Sequence, residues 1–371
     1  MRCYFLSAAA MNLLSMLQAV YGLPMSIMSW WRRLRGRRKE TGRQTSPLLQ
    51  LPVELIHRIS NELSPAGRRV LSQTCRPLCE ILGKSALATR LSRDDYCEYL
   101  ALIARQRPDY WVCEACIGFH RVTTVDTPEN PCVPTCSAGP RRWRYTGYGQ
   151  RDRLDARLFR VDHRHIQLAL KYTRLRCDNY QDYLDKLLAP CVDSNFETYL
   201  WPYRQPNKLT VRYSAFPKIV MGNDGNLRFL LLSTWSYQED RSQLSLPAMG
   251  DLKICPHLRL PYGARRGAGR ELGSLRGILT PFLLNEDSNE RKGLYFCCYC
   301  PTDLCVKKSP GRLFLSAWQD LGPEGSPMDK SWRVHILSSL NSSRGHPHLS
   351  HEPGSILRLY EQDKSKQNRT T

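Results

Sequence analysis

The sequence predicts an α+β chain, with a small helical module first and a region of mixed helices and antiparallel strands after it. Three observations carry this. Leu51, Leu55, Ile59 and Leu63 recur every four residues, which lines one face of a helix. From about residue 208 the pattern turns strand-like, and Gly222-Asn223-Asp224-Gly225-Asn226 between Leu209–Phe216 and Leu227–Tyr237 is a strong hairpin signal. Cysteine pairs at two-residue spacing, Cys113/Cys116 and Cys297/Cys300, fall between and within these regions.

Composition bounds the rest. At about 150 residues per domain, 371 residues make two or three domains, enough to bury a core without obligatory staples. A 42% hydrophobic and 24% charged chain excludes collagen, coiled coil, a polytopic membrane protein and wholesale disorder. Lys plus Arg is 54 against 34 for Asp plus Glu, and the formal charge of +20 draws the chain towards polyanions: nucleic acid, acidic lipid or an acidic protein. Fifteen cysteines cannot all pair, and with histidines near the close pairs they read as metal ligands in a reducing compartment, cytoplasmic or nuclear.

Taken in order, residues 1–45 form an apolar, then basic extension. No charged side chain lies in 3–31, and Arg32, Arg33, Arg35, Arg37, Arg38, Lys39 and Arg43 follow. The apolar run is long enough to span a membrane, although Gly22, Pro24 and polar residues interrupt it. Disorder and membrane association both stay open; insertion would keep residues 32–371 in the cytosol.

Residues 46–90 predict three short helices, the second opened by Ser64 as N-cap and Pro65 at the first helical position, the third carrying Leu78, Ile81 and Leu82. Residues 91–190 begin with a helix over 92–106, pass through a loop-rich cysteine segment, and continue with helices over 163–173 and 179–188. Residues 191–340 are strand-rich, with further runs at Gly293–Cys298, Leu313–Trp318 and Trp332–Leu337 and an exposed Gly/Arg-rich loop over 263–277. Residues 341–371 read as a mostly disordered tail, apart from Ile356–Tyr360.

Two cysteine clusters have metal-ligand spacing. In the first, Cys113-x2-Cys116 is followed by Cys132-x3-Cys136, with His120 four residues after Cys116. A two-residue step lets both sulfurs face one ion, and a second pair completes the tetrahedron of structural Zn²⁺. Cys113 and Cys116 are the firm ligands; Cys132, Cys136 and His120 compete for the remaining places, and the two cysteines are taken. The second cluster is Cys255, His257, Cys297 and Cys300; Cys298 points to the opposite face of its strand. Four protein ligands each and no open position argue for structural zinc at both sites. His163 and His165 stand two apart on a helix, diverge, and are expected at the surface or in local hydrogen bonds.

The run Leu48-Leu49-Gln50-Leu51-Pro52-Val53-Glu54-Leu55-Ile56-His57-Arg58-Ile59, with Val70-Leu71-Ser72-Gln73-Thr74-Cys75-Arg76 after it, resembles an F-box. That family opens with Leu-Pro-x-Glu-Leu and carries a Leu-Ser-x-Thr-Cys-Arg-like stretch in its second helix. The downstream runs around Cys113-Glu114-Ala115-Cys116, Cys255-Pro256-His257 and Cys297-Cys298-Tyr299-Cys300 resemble the Cys-rich F-box proteins of filamentous fungi. The resemblance implies docking on the Skp-type adaptor of a cullin-based SCF ubiquitin ligase, with the remaining chain selecting a protein for ubiquitin-dependent degradation. Its docking residues would be Leu51, Pro52, Leu55, Ile56 and Ile59, on a unit expected to be too small to bury its own apolar face. Burying one such side chain is worth about 1.5–3 kcal/mol, so a few can anchor a helix in a groove.

Catalytic signatures are missing: there is no His-Glu-x-x-His, no Gly-x-Ser-x-Gly and no glycine-rich phosphate loop. A non-catalytic adaptor is therefore expected, its target unknown and, from the charge, acidic. The alternative is a zinc-containing basic nucleic-acid-binding protein. It would use the arginines of 141–164 with Trp143, Tyr145 and Tyr148 among them, together with Arg265, Arg266 and Arg270.

Overall fold

A computed structural model describes residues 46–88, 90–132, 136, 159–200, 205–239, 244–250, 252–260, 275–284, 290–336 and 348–367. The N-terminal extension 1–45, the basic stretch 141–158 and the arginines at 265–270 lie outside the described residues, so the expectations placed on them do too. The chain is mixed α+β with antiparallel sheets. No described helix is long and apolar enough to cross a membrane.

The chain divides into two compact units: the residues up to Gln106 with the hairpin tip Asn223–Asn226, and the remainder. The first contains α1 Val53–Asn61, α2 Pro65–Thr74, α3 Arg76–Ala88 and α4 Arg93–Ala104. The start of α2 follows the sequence: Ser64 Oγ accepts the Gly67 amide at 3.1 Å, and Pro65 needs no donor in the first turn. The same hydroxyl donates to Glu98 Oε1 at 2.7 Å, tying α2 to α4. Ser92 and Asp95 form a capping box that opens α4. The division after Gln106 thus places this helix with the helical unit, whereas the sequence grouped 91–106 with the cysteine segment.

The second unit is built on a six-stranded antiparallel sheet in the order β3-β4-β5-β10-β9-β8. Its strands are β3 Cys191–Leu200, β4 Gln205–Met221, β5 Leu227–Gln238, β8 Arg291–Phe296, β9 Thr302–Ser309 and β10 Arg312–Pro323. Two hairpin-linked meanders therefore meet where β5 pairs with β10. A smaller hairpin joins β1 Tyr110–Cys113 and β2 Gly118–Arg121, and the short strands β6 Leu252–Lys253 and β7 Arg259–Leu260 pair within the long connection.

Period-two alternation decides the two faces of the large sheet. Leu209, Val211, Tyr213, Phe229, Leu231, Trp235, Leu304, Val306, Leu313 and Leu315 face the main core. Helices α5 His163–Leu175 and α6 Gln181–Leu187 contribute to that core, and α5 is buried from His163 to Tyr172. The other face presents Val220, Leu230 and Trp318, which pack against Ile356 and Tyr360 of the C-terminal helix α10 Ser355–Gln367.

Three expectations are corrected. The tail is expected to be mostly disordered apart from Ile356–Tyr360, but the helix around that exception runs over 355–367, with Ile356 and Tyr360 one turn apart on an apolar sheet face. The strand expected over Trp332–Leu337 is absent from its described residues 332–336: Lys330–Arg333 forms helix α9, and Trp332 is buried with its ring 5.4 Å from that of His163. Of the loop expected over 263–277 only 275–277 are described, and they open helix α8 Leu275–Leu284, which buries Leu279 and Phe282; the four-residue helix α7 Leu246–Met249 precedes it in the connection.

Candidate metal centres

The β1–β2 hairpin places Cys113 at its end, Cys116 in its turn and His120 on the returning strand, where it pairs with Trp111. Ile117 takes a left-handed conformation (φ 50°), and its amide closes the knuckle onto the Cys113 carbonyl at 2.9 Å. His120 stacks on the Trp111 ring at 4.7 Å, which aims Nε2 at Cys116 Sγ, 3.1 Å away. Cys136 Sγ lies 3.9 Å from Cys113 Sγ. Cys113, Cys116, His120 and Cys136 have all four ligand atoms within 4.8 Å of one another.

Cys132 is not in the group, and the backbone around it explains why. Its amide donates to Asp126 Oδ1 at 2.8 Å, its carbonyl accepts from Arg164 Nη2 at 2.8 Å, and its thiol sits 4.0 Å from the Asn130 carbonyl. Cys132 anchors the segment through its main chain, and His120 takes the place the sequence gave to it.

The second group assembles as its spacing predicted. Cys255 and His257 come from the connection between the meanders, Cys297 and Cys300 from the turn between β8 and β9, and their ligand atoms also lie within 4.8 Å of one another. Cys255 Sγ is 3.8 Å from Cys297 Sγ and 3.9 Å from His257 Nδ1. Amides point at the sulfurs: Leu258 N–H donates to Cys255 Sγ at 3.3 Å and Tyr299 N–H to Cys297 Sγ at 3.5 Å. Burial would raise the Cys255 thiol, but the Cys297 and Cys300 thiols and the His257 and Leu258 amides stabilise its thiolate and hold it well below its ordinary value. Burial, then the neighbouring sulfurs, pushes Cys300 up. Cys298 faces solvent, but from the turn and not from a strand, since β8 ends at Phe296.

Both groups fit a metal ion. A tetrahedral ion with metal–sulfur bonds of about 2.3 Å needs sulfur–sulfur edges of roughly 3.8 Å. The 3.8 and 3.9 Å separations match that edge and are far beyond a disulfide's ~2.05 Å. Three sulfurs and one imidazole per group complete the donor set. No described cysteine is in a disulfide.

His163 and His165 take no part. Both are buried and locally hydrogen-bonded: His163 Nδ1 lies 2.8 Å from Gln167 Nε2, and His165 Nδ1 accepts the Asp162 amide at 3.1 Å. Local bonding was expected, and burial replaces the surface position.

The five residues assigned to adaptor docking separate. Leu51 (8% exposed), Ile56 (1%) and Ile59 (8%) belong to the unit's own core with Leu48, Leu63, Leu71, Leu78 and Leu82. Packing α1 against α2 and α3 is enough to bury that stripe, so these three are core residues and not free anchors. Pro52 is exposed, as are Leu55 (37%) and its neighbour Val53 (46%), which the sequence reading passed over.

No family model, curated protein or solved structure matches the chain.

Proposed function

We propose that the chain is an F-box substrate-recognition subunit. The first unit docks on the Skp-type adaptor of a cullin-based SCF ubiquitin ligase, and the second binds the protein to be ubiquitylated. The observation that carries this reading is the Leu51-Pro52-x-Glu54-Leu55 entry to a compact helical unit whose Pro52, Val53 and Leu55 remain on the surface. Such an apolar patch at the start of an amphipathic helix suits a groove on a partner.

The ion at both groups is zinc in this reading. Three cysteines and one histidine with no position left for water is the donor set of a structural site, so the ions stabilise the second unit and take no part in chemistry. Reduced thiols of this kind fit the cytoplasm or nucleus, and the +20 charge favours an acidic target. The nucleic-acid reading gains nothing: Arg160 and Arg164, the described arginines of the basic stretch, are engaged by Asp162 and Asp126.

The test is capture of the full chain by purified Skp-type adaptor and cullin, beside a Val53→Asp/Leu55→Asp variant. The reading expects capture of the intact chain and loss of the variant, with an unchanged circular dichroism spectrum. Equal capture of both, or of neither, rejects the docking model.

A further inference from the structure

We propose that metal binding at the second group controls the docking of the C-terminal helix α10, with Tyr299 as the positioning residue. The inference rests on the reading that this group holds a metal.

Tyr299 lies inside the Cys297–Cys300 knuckle and touches the ligand set twice. Its ring stacks on the imidazole of His257 at 5.1 Å and 27°, and its amide donates to Cys297 Sγ at 3.5 Å. It touches the segment leading to α10 twice as well. Its carbonyl accepts the Leu349 amide at 3.0 Å, and its ring meets His348 edge-on at 5.8 Å.

The knuckle also fixes the strand that caps the helix. Cys297 N–H donates to the Thr302 carbonyl at 2.8 Å, and Thr302 N–H to the Cys300 carbonyl at 2.7 Å. The next residue, Asp303, then receives His351 Nε2 at 3.1 Å and the amides of Gly354, Ile356 and Leu357 at 2.9–3.0 Å. This carboxylate, supplied by β9, satisfies the open N–H groups at the start of α10. Only then do Ile356 and Tyr360 reach Val220, Leu230 and Trp318.

An ion bonded to His257 and Cys297 fixes both groups that orient Tyr299. Without it, His257 is positioned by a ring stack, a much weaker restraint than a metal–ligand bond. Tyr299, the 348–351 segment and the helix loosen together.

Hydrogen exchange on the full chain, zinc-loaded and chelator-stripped, tests the link, with metal content measured on each sample. Stripping is expected to speed exchange at Ile356 and Leu357 by about tenfold or more, within the 5–150-fold range of coupled sites, and to change β10 amides far less. Tyr299→Ala with both metals retained should speed the same helix amides, whereas Cys116→Ser, which disables only the first group, should not. If stripping unfolds the whole unit, metal-loaded Tyr299→Ala decides alone. Unchanged helix protection in that variant, or in stripped chain, overturns the link while leaving the metal reading intact. Failure of the second group to take up zinc overturns both.

Discussion

Asp126 and Arg164 form a buried ion pair, Nε to Oδ2 at 2.5 Å, that also anchors the first metal group. Asp126 Oδ1 and Arg164 Nη2 grip the amide and carbonyl of Cys132, four residues before the candidate ligand Cys136. Burial alone would raise the Asp126 carboxyl, but His165, Arg164 and the Cys132 amide together hold it below its usual range.

Asp126→Asn removes one of the two carboxylates that hold the buried Arg164 charge and leaves Asp162, 2.9 Å from Nη2, as its remaining partner. A buried charge left with no partner costs about 3–5 kcal/mol, so with Asp162 still in place the loss should be smaller than that, and denaturant unfolding of the metal-loaded chain would register it. The variant should also yield its first ion to a chelator concentration that spares the second. Wild-type retention of both ions would show that the anchor does not position Cys136.

The ligand sets make a stoichiometric prediction. Cys132→Ser should keep two zinc ions per chain, because its thiol lies outside the group. His120→Ala and Cys116→Ser should each fall towards one. Metal analysis of the purified variants checks this, and loss of an ion in Cys132→Ser would return that residue to the ligand set.

His163 predicts an acid-labile fold. Burial depresses its imidazole to about 3 from an ordinary 6.5. Below pH 6.5 the unfolded chain takes up a proton that the folded chain refuses, so stability falls as pH drops from 6.5 towards 3, by about 1.4 kcal/mol per pH unit. His163→Phe should be less stable at pH 7, having lost the Gln167 contact, yet show a shallower slope through that window. Parallel slopes in the two chains would assign the acid sensitivity elsewhere.

The helical unit separates core from surface. Ile56→Ala should destabilise by about 2–5 kcal/mol. Leu55→Ala, at a side chain on the surface, should stay within about 0.5 kcal/mol. Thermal unfolding of both variants gives the comparison, and a large loss at Leu55 would place it in the core.

Much of the fold was legible in the sequence where the signal was local. The Ser64-Pro65 helix start, the 222–226 hairpin and the complete second cysteine group follow from spacing and turn chemistry alone. What spacing cannot show is what covers a face. The stripe through Leu51, Ile56 and Ile59 was readable, but its partner turned out to be Leu71, Leu78 and Leu82 of the same unit. Choosing His120 over Cys132 depended on Asp126 and Arg164, the latter 32 residues beyond Cys132. The C-terminal helix needed a cap from Asp303, 51 residues before Gly354, which no local pattern announces.

The sheet joins chain neighbours at every pairing except β5 with β10. Each meander can zip up from its own hairpins, whereas the seam must wait for a long excursion of chain to close, and distant contacts form slowly. Cys255 and His257 sit in that excursion, and Cys297 and Cys300 in the first turn of the second meander, so an ion held by all four, as proposed, would shorten the search. With zinc bound as proposed, refolding should run in two stages, a fast one indifferent to the ion and a slow one accelerated by it, the ion then staying on as a brace for the finished sheet.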